Sequence, residues 1–335
     1  LSEKSPLPEA QQRFQDALPF RSLPEERCVL EQANHRTVFQ DITAPSDMPP
    51  YPRAIVEGFL VNTADTAAAS EESPVGFSVV GEVKPGDEQC PVPQPGQAVQ
   101  VSTGSIVCGG DVSIVRMWEA QRDGQNVTIA RPFPPGFFIE QRGEDLKKDD
   151  VVCKAGTELG PWEVGLLAGL GISEVSVTRI PEVAIFSSGD EVIPYDQPLK
   201  PGRIRDGNAV MLAAAISDAG GRATFKGIMR DDFDAFREAL SAALDAHDMV
   251  VISGGTAVGG RDFISDLMRE TGELIVDGVP MRSGRPLIVG VARGKPMIGV
   301  AGHPPEALRG FRLFGTLALD RILGRERPLP ADTPT

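Results

Sequence analysis

The sequence predicts a multidomain α/β plus β protein: a three-layer α/β domain, a β-rich lobe and a helical or mixed linker domain. Three observations predict it. Short apolar runs alternate with amphipathic helical stretches from Val183 onward, residues 53–139 break into brief β-like runs separated by turn signals, and the two regions bracketing that lobe are of mixed character. With 335 residues the chain is long enough for two or three cores.

The first 45 residues read as helical and polar, with a helix expected around Glu25–Asn34, and the Pro-rich stretch Pro45–Pro52 favours an extended linker. In the lobe, strands are expected at Gly58–Val61, Gly76–Val83, Ala98–Val101, Ser113–Trp118 and Val127–Ile129. Pro85-Gly86-Asp87, Pro95-Gly96 and Asp123-Gly124 punctuate them, and 66–74 is expected to be a mobile loop. Trp162–Leu170 is an apolar helical stretch stopped by Gly171, and Val175–Val177 a short strand. The α/β region then offers strands at Val183–Phe186, Arg222–Ile228, Met249–Ile252, Leu287–Val291 and Pro296–Gly299. Its helices are expected at Ala209–Ala219, Asp232–Ala246, Asp262–Thr271 and Pro305–Leu323. Strand–helix alternation implies a mostly parallel sheet, whose ligands sit outside the carboxyl ends of the strands. The resulting division is 1–45 with 140–178 as a discontinuous linker domain, 46–139 as the β-rich lobe, 179–324 as the α/β domain and 325–335 as a Pro-rich tail.

Composition narrows the function. The formal net charge of −14 argues against nucleic-acid and anionic-membrane partners, and no apolar run of spanning length occurs. The four cysteines (Cys28, Cys90, Cys108 and Cys153) form no Cys-x-x-Cys pair and read as free thiols of a cytoplasmic protein. Three scattered histidines make no zinc signature.

The glycine-punctuated strand ends carry the chemistry. In Ser253–Asp262, following a strand and opening a helix, Gly254, Gly255, Gly259 and Gly260 allow close backbone approach, and the helix start presents free amides to a phosphate. Asp262 either holds a divalent cation or caps the helix. Asp190 and Glu191, after another strand, suit a metal ion on phosphates or are solvated loop acids. Arg282 and Arg285 flank Ser283-Gly284 and suit oxyanions; Arg203 and Arg205 share a loop with Asp206 and Asn208. Asp231 and Asp232 precede a helix, where acids also serve as caps, and His303 is a candidate acid or base on a strand-to-helix loop.

Taken in order, MPPYPRAIVEGFLV, VSTG, RGEDL, VAIFSSGDEVIP, KPGRIRDGNAVML, GIMRDD, SGGTAVGGRDF, GVPMRSGRPL and GVAGHPPEAL resemble the molybdopterin molybdenumtransferases, the MoeA and gephyrin E-domain family. The resemblance runs from about Ala33 to Gly324. It implies an elongated homodimer in which the α/β domain (domain III) binds adenylylated molybdopterin, cleaves the adenylate with Mg2+ or a similar cation, and inserts molybdenum from molybdate. It implies molybdoenzymes or other cofactor-biosynthesis proteins as partners. By position it assigns Glu191 and Asp262 to the metal and adenylate, with Asp231 or Asp232 as a further acid. Glu57 stands in the family's Asp-Gly-Tyr motif as Glu57-Gly58-Phe59. The ligand-binding turn falls on Ser253, Gly254, Gly255, Thr256 and Gly259, with Asp206, Asn208 and His303 beside it. Arg282 and Arg285 stand where lysines hold molybdate, and Thr103 and Asp145 match residues offered by the partner subunit.

Three departures follow from the same alignment of motifs. Ala257 replaces a serine, Glu306 places a carboxylate where a hydroxyl faces molybdate, and the tail 325–335 is too short for a C-terminal domain IV. Two functions therefore stand side by side, a molybdotransferase and a catalytically degenerate molybdopterin carrier or scaffold.

Overall fold

In the computed structural model, which describes residues 6–230, 232–254, 263–279 and 287–331, the chain forms two compact units. Residues 43–152 make one; the residues before and after them make the other.

The larger unit begins with helix α1 (Leu7–Ala17), strand β1 (Glu25–Val29), helix α2 (Pro161–Gly169) and strand β2 (Glu174–Thr178). Where the sequence suggested a helix at Glu25–Asn34, Glu25–Val29 is instead a strand, and only Leu30–Gln32 turns helically. Antiparallel pairing of all five strand residues with β2 overrides the helix-favouring glutamates, a tertiary effect invisible to local propensity. The polar N-terminal helix lies earlier, with Phe14 wholly buried against Phe314 at 5.9 Å.

The α/β part follows as β3 (Glu182–Ser188), α3 (Asn208–Asp218), β4 (Arg222–Met229), α4 (Phe233–Ala246), β5 (Met249–Gly254), α5 (Phe263–Thr271), β6 (Glu273–Asp277), β7 (Ile288–Ala292), β8 (Lys295–Val300), α6 (Pro304–Gly310) and α7 (Thr316–Leu323). A π-helical turn, Phe311–Gly315, joins the last two helices. The sheet order is β4-β3-β5-β8-β7-β6. Pairs β4–β3, β3–β5 and β5–β8 are parallel; β8–β7 and β7–β6 are antiparallel. The antiparallel strand Glu273–Asp277 is absent from the expected strands, although Gly272 and Gly278 bracket its apolar Leu274-Ile275-Val276.

Alternation along the central strands builds the three layers. Val183, Ile185, Met249 and Val251 face a core with Leu212, Ile216, Phe311, Phe314 and the N-terminal helix. Ala184, Phe186, Val250 and Ile252 face the opposite core with Phe236, Leu240, Leu244 and Leu267. Strands buried on both faces read as continuous apolar runs, as these do.

The smaller unit holds a six-stranded sheet in the order 112–116, 58–62, 97–101, 75–83, 126–129, 120–123. Phe59, Val61, Phe77 and Val115 pack on one face; Leu60, Val99, Val101 and Ile114 pack on the other. Gly58 is required by space, since a Cβ there would lie 2.0 Å from the Val115 carbonyl oxygen. The 66–74 segment is tied in at its start: Thr66 is buried and its hydroxyl accepts from the Phe133 N–H.

Candidate functional site

The parallel register brings three strand ends together. Ser187 lies opposite Ser253, Ser188 opposite Gly254, and Ser253 opposite Val300. Gly254 has φ +88°, and a Cβ there would stand 2.5 Å from the Ser188 carbonyl oxygen, so no other residue fits that turn unstrained. Gly302, just past β8, backs onto Gly254.

Asp206 and Asn208 enter this corner from the start of α3. The Asp206 N–H donates to the Ile193 carbonyl at 2.8 Å, and Asp206 Oδ1 accepts from the Ala209 N–H at 3.0 Å, opening the helix. Asn208 Nδ2 donates to Ser253 Oγ at 2.7 Å and to the Gly302 carbonyl at 2.8 Å. The carbonyl partner fixes which end of the amide is nitrogen, because it can only accept. Both amide hydrogens are thereby used, and Asn208 Oδ1 is left as an acceptor.

Among the described residues, five side-chain oxygens in this region are buried without a hydrogen-bond partner: Ser187 Oγ, Ser188 Oγ, Asp206 Oδ2, Asn208 Oδ1 and Glu306 Oε2. Leaving such an atom unsatisfied costs about 1–3 kcal/mol. Five at one end of one sheet is a polar, acceptor-rich surface that a ligand with N–H or O–H donors would satisfy. The sequence marks Asp206 and Asn208, and it marks the Ser187–Glu191 motif, but there it points to the acids Asp190 and Glu191 rather than to the two serines. The signal was present: the apolar run Val183–Phe186 gives way to two serines where the strand ends.

Glu191 is exposed on the following loop. Gly189, at φ +143°, lies so close beneath it that a Cβ would be 2.9 Å from Glu191 Oε2. The loop is zipped to the segment before Asp206: Val192 pairs with Ile204, the Ile204 N–H donates to the Glu191 carbonyl, and the Arg203 guanidinium donates to the Asp190 carbonyl. Asp232 follows β4, whose Met229 pairs with Ser188, and caps α4 by accepting from the Ala235 N–H at 3.1 Å. His303 is exposed at the N-cap of α6, where its carbonyl, rather than its ring, accepts from the Glu306 and Ala307 N–H groups. Asp231, Gly255, Thr256, Gly259, Asp262, Arg282 and Arg285 lie outside the described residues. Among the described residues no three acidic, histidine or cysteine side chains converge as a metal site.

Glu57, Thr103 and Asp145 belong to the smaller unit, and all three are exposed. Thr103 sits at the tip of a turn fixed by the Gly104 N–H donating to the Ala54 carbonyl at 2.8 Å and by Ser105 Oγ donating to Val83 O at 2.9 Å. The turn bearing Asp145 is pinned to the same stretch of chain: the Asp145 and Leu146 N–H groups both donate to the Met48 carbonyl at 3.0 Å, and Gly143 donates to Pro49. Beside it, the Lys148 N–H and then the Arg142 guanidinium hold the Asp47 carboxyl below its usual range. The structure thus brings Thr103 and Asp145 to one short backbone segment, 48–54, although 42 residues separate them in sequence.

Comparison with known proteins agrees with this architecture. Residues 5–171 match the MoeA N-terminal region (domain I and II), and residues 184–321 match a probable molybdopterin binding domain. The chain is 31% identical over 334 residues to the molybdopterin molybdenumtransferase of Bacillus subtilis, spanning 98% of this chain and 77% of that protein. It is 28% identical to the enzyme of that name from Staphylococcus aureus strain Mu50, over 98% of this chain and 79% of the other. Two crystal structures of a MoeA molybdopterin biosynthesis protein from Pyrococcus horikoshii superpose with TM-scores of 0.77 and 0.82, at 36% and 29% identity. Each covers 97% of this chain, with 81% and 80% of the respective neighbour covered. An α/β sheet with a polar carboxyl end, joined in one chain to a β-rich lobe, is the architecture of molybdopterin-biosynthesis proteins, and this chain belongs to the MoeA family. Among the described residues no helix is long and apolar enough to cross a membrane.

Proposed function

We propose that the chain works in molybdenum cofactor biosynthesis, binding molybdopterin in its adenylylated form at the carboxyl end of the six-stranded α/β sheet and inserting molybdenum from molybdate with release of AMP. The observation that carries this reading is the set of five buried, unpartnered oxygens around Ser187, Ser188, Asp206, Asn208 and Glu306. A pterin presents an amino group and ring N–H donors, which such an acceptor surface binds and orients. Gly254 lets the ligand approach the backbone. Glu191 stands at the open edge of the site.

Mg2+ usually takes one or two carboxylates and completes its shell with waters and ligand phosphates, so the exposed Glu191 carboxylate suits it. When bound, the ion would offset the negative charge of the phosphates; Asp262 is the second acid proposed for it. Arg282 and Arg285 are proposed for molybdate. A homodimer is part of the proposal, with Thr103, Asp145 and Glu57 supplied to the cleft by the other subunit. So are a cytoplasmic location and the four-part division into 1–45 with 140–178, 46–139, 179–324 and the tail 325–335.

Glu306 favours a second reading. Its buried, unpaired carboxylate oxygen would repel a molybdate dianion at short range by roughly 1 kcal/mol or more, as expected of a carrier that has lost the insertion step. The experiment is a paired assay: adenylylated molybdopterin and Mg2+ are added with and without molybdate, and bound pterin and released AMP are measured. Molybdate-dependent AMP release is expected. Pterin retention without AMP release would leave the carrier, and loss of both would overturn the proposal.

A further inference from the structure

Cys90 and Cys108 show no sequence motif, yet the fold sets them side by side in the smaller unit. The Cys108 N–H donates to Cys90 Sγ at 3.3 Å. The two chain segments run against each other: a Cβ on Gly109 would lie 3.5 Å from Val92. Both cysteines are half-buried, whereas Cys28 and Cys153 are buried. Nothing in the proposed pterin chemistry uses either thiol.

We infer that Cys90 and Cys108 form a reversible disulfide, a modification site that staples the 84–96 loop to the segment following the Thr103 turn. The oxidant is a small-molecule disulfide, RSSR. The Cys108 thiolate attacks one sulfur, forming a mixed disulfide and expelling RS−, which takes up the proton that Cys108 gave to solvent. The Cys90 thiolate then attacks the Cys108 sulfur and expels the second RS−, protonated in turn. The sum is two protein thiols plus RSSR giving one protein disulfide plus two RSH.

The order of attack follows from surroundings. Burial is the main cause that pushes the Cys90 thiol up to about 11, and the neighbouring Cys108 N–H offsets only part of it. Cys90 is thus a poor first nucleophile and acts as the resolving thiol. The linked segments already interlock: the Ser102 N–H and Ser105 Oγ both donate to the Val83 carbonyl. The disulfide closes a loop across this contact and holds the turn that presents Thr103. In a reducing compartment such a bond is transient and responsive.

The test uses the full chain, incubated with oxidised glutathione near neutral pH and mapped by non-reducing peptide mass spectrometry. The expected result is a Cys90–Cys108-linked peptide, two of the four cysteine thiols lost, full recovery with dithiothreitol, and a melting temperature several degrees higher when oxidised. Cys90→Ser is expected to trap glutathione on Cys108, since the resolving thiol is gone. Cys108→Ser is expected to leave Cys90 unmodified over the same time. Four free thiols in the wild type after oxidation, stable glutathione adducts on both Cys90 and Cys108, or cross-links between chains would each overturn the inference.

Discussion

Two halves of one strand differ more than two ends of the molecule. In β3, Val183, Ala184, Ile185 and Phe186 are at most 1% exposed and packed on both faces. Ser187 and Ser188, the next two residues, are almost as buried, at 3% and 4%, but their hydroxyls have no partner among the described residues. Equal depth with opposite satisfaction separates two purposes. The middle of the sheet holds the fold together through apolar burial at about 25 cal/mol per Å². Its carboxyl end gives up stability to keep polar atoms open to something that is not part of the chain.

The largest expected effect tests the first half. Phe186 is buried with its ring 5.5 Å from Phe236 in the core beneath α4 and α5. Phe186→Ala should lower unfolding free energy by about 3–5 kcal/mol in denaturant titration. A loss under about 1 kcal/mol would mean that this core collapses freely and the contrast is false.

Gly254→Ala comes next, because it strikes both halves. Its φ of +88° and a Cβ 2.5 Å from the Ser188 carbonyl oxygen force the backbone to shift. Loss of about 1–3 kcal/mol of stability is expected, together with loss of pterin binding measured by fluorescence titration. Stability lost with affinity intact would detach this turn from the ligand. Asn208→Ala should cost about 1–3 kcal/mol, since it strands Ser253 Oγ and the Gly302 carbonyl at once.

How much of this was legible follows from the same contrast. The α/β strands were readable because they are buried on both faces and appear as unbroken apolar runs; Met249–Ile252 and Val183–Phe186 are the clearest. The Glu25–Val29 strand was not, because its pairing partner lies about 150 residues away and only Cys28 of its five residues is buried. Asp206 and Asn208 were legible as polar residues opening a helix. That Asn208 spends both amide hydrogens on Ser253 and Gly302, and so leaves an acceptor, depends on three segments meeting, which no local pattern encodes. Cys90 and Cys108 failed for the same reason: the contact lies between loops, with no periodicity to announce it.

The smaller unit extends the contrast to charge. Glu119 is satisfied from two sides, by Arg116 Nε at 2.7 Å and by Arg131, and its carboxyl is lowered from 4.5 to about 2, chiefly by the Arg116 hydrogen bond. A carboxylate held low when folded adds stability that is fully present above the unfolded value and lost as pH falls through the folded one. The unit should therefore lose stability progressively between about pH 4.5 and pH 2. Glu119→Gln should flatten that part of the curve while leaving the unpaired oxygens of the α/β sheet untouched. An unchanged slope in Glu119→Gln would show that other carboxylates dominate acid unfolding.

The smallest expected effect is the sharpest test. Ser187→Ala and Ser188→Ala each remove a buried hydroxyl that has no partner among the described residues. Removing an unsatisfied polar atom forfeits no intramolecular hydrogen bond and relieves its desolvation cost, so stability should change by less than about 0.5 kcal/mol or rise slightly. Affinity for the pterin should nevertheless fall, by about 1 kcal/mol per lost hydrogen bond, or roughly fivefold. Neutral folding with weakened binding is a combination that a packing role cannot produce, since a residue needed for packing loses both together. If either alanine variant were instead destabilised by about 2 kcal/mol, its hydroxyl would be holding the sheet together. The division between the strand's two halves would then disappear.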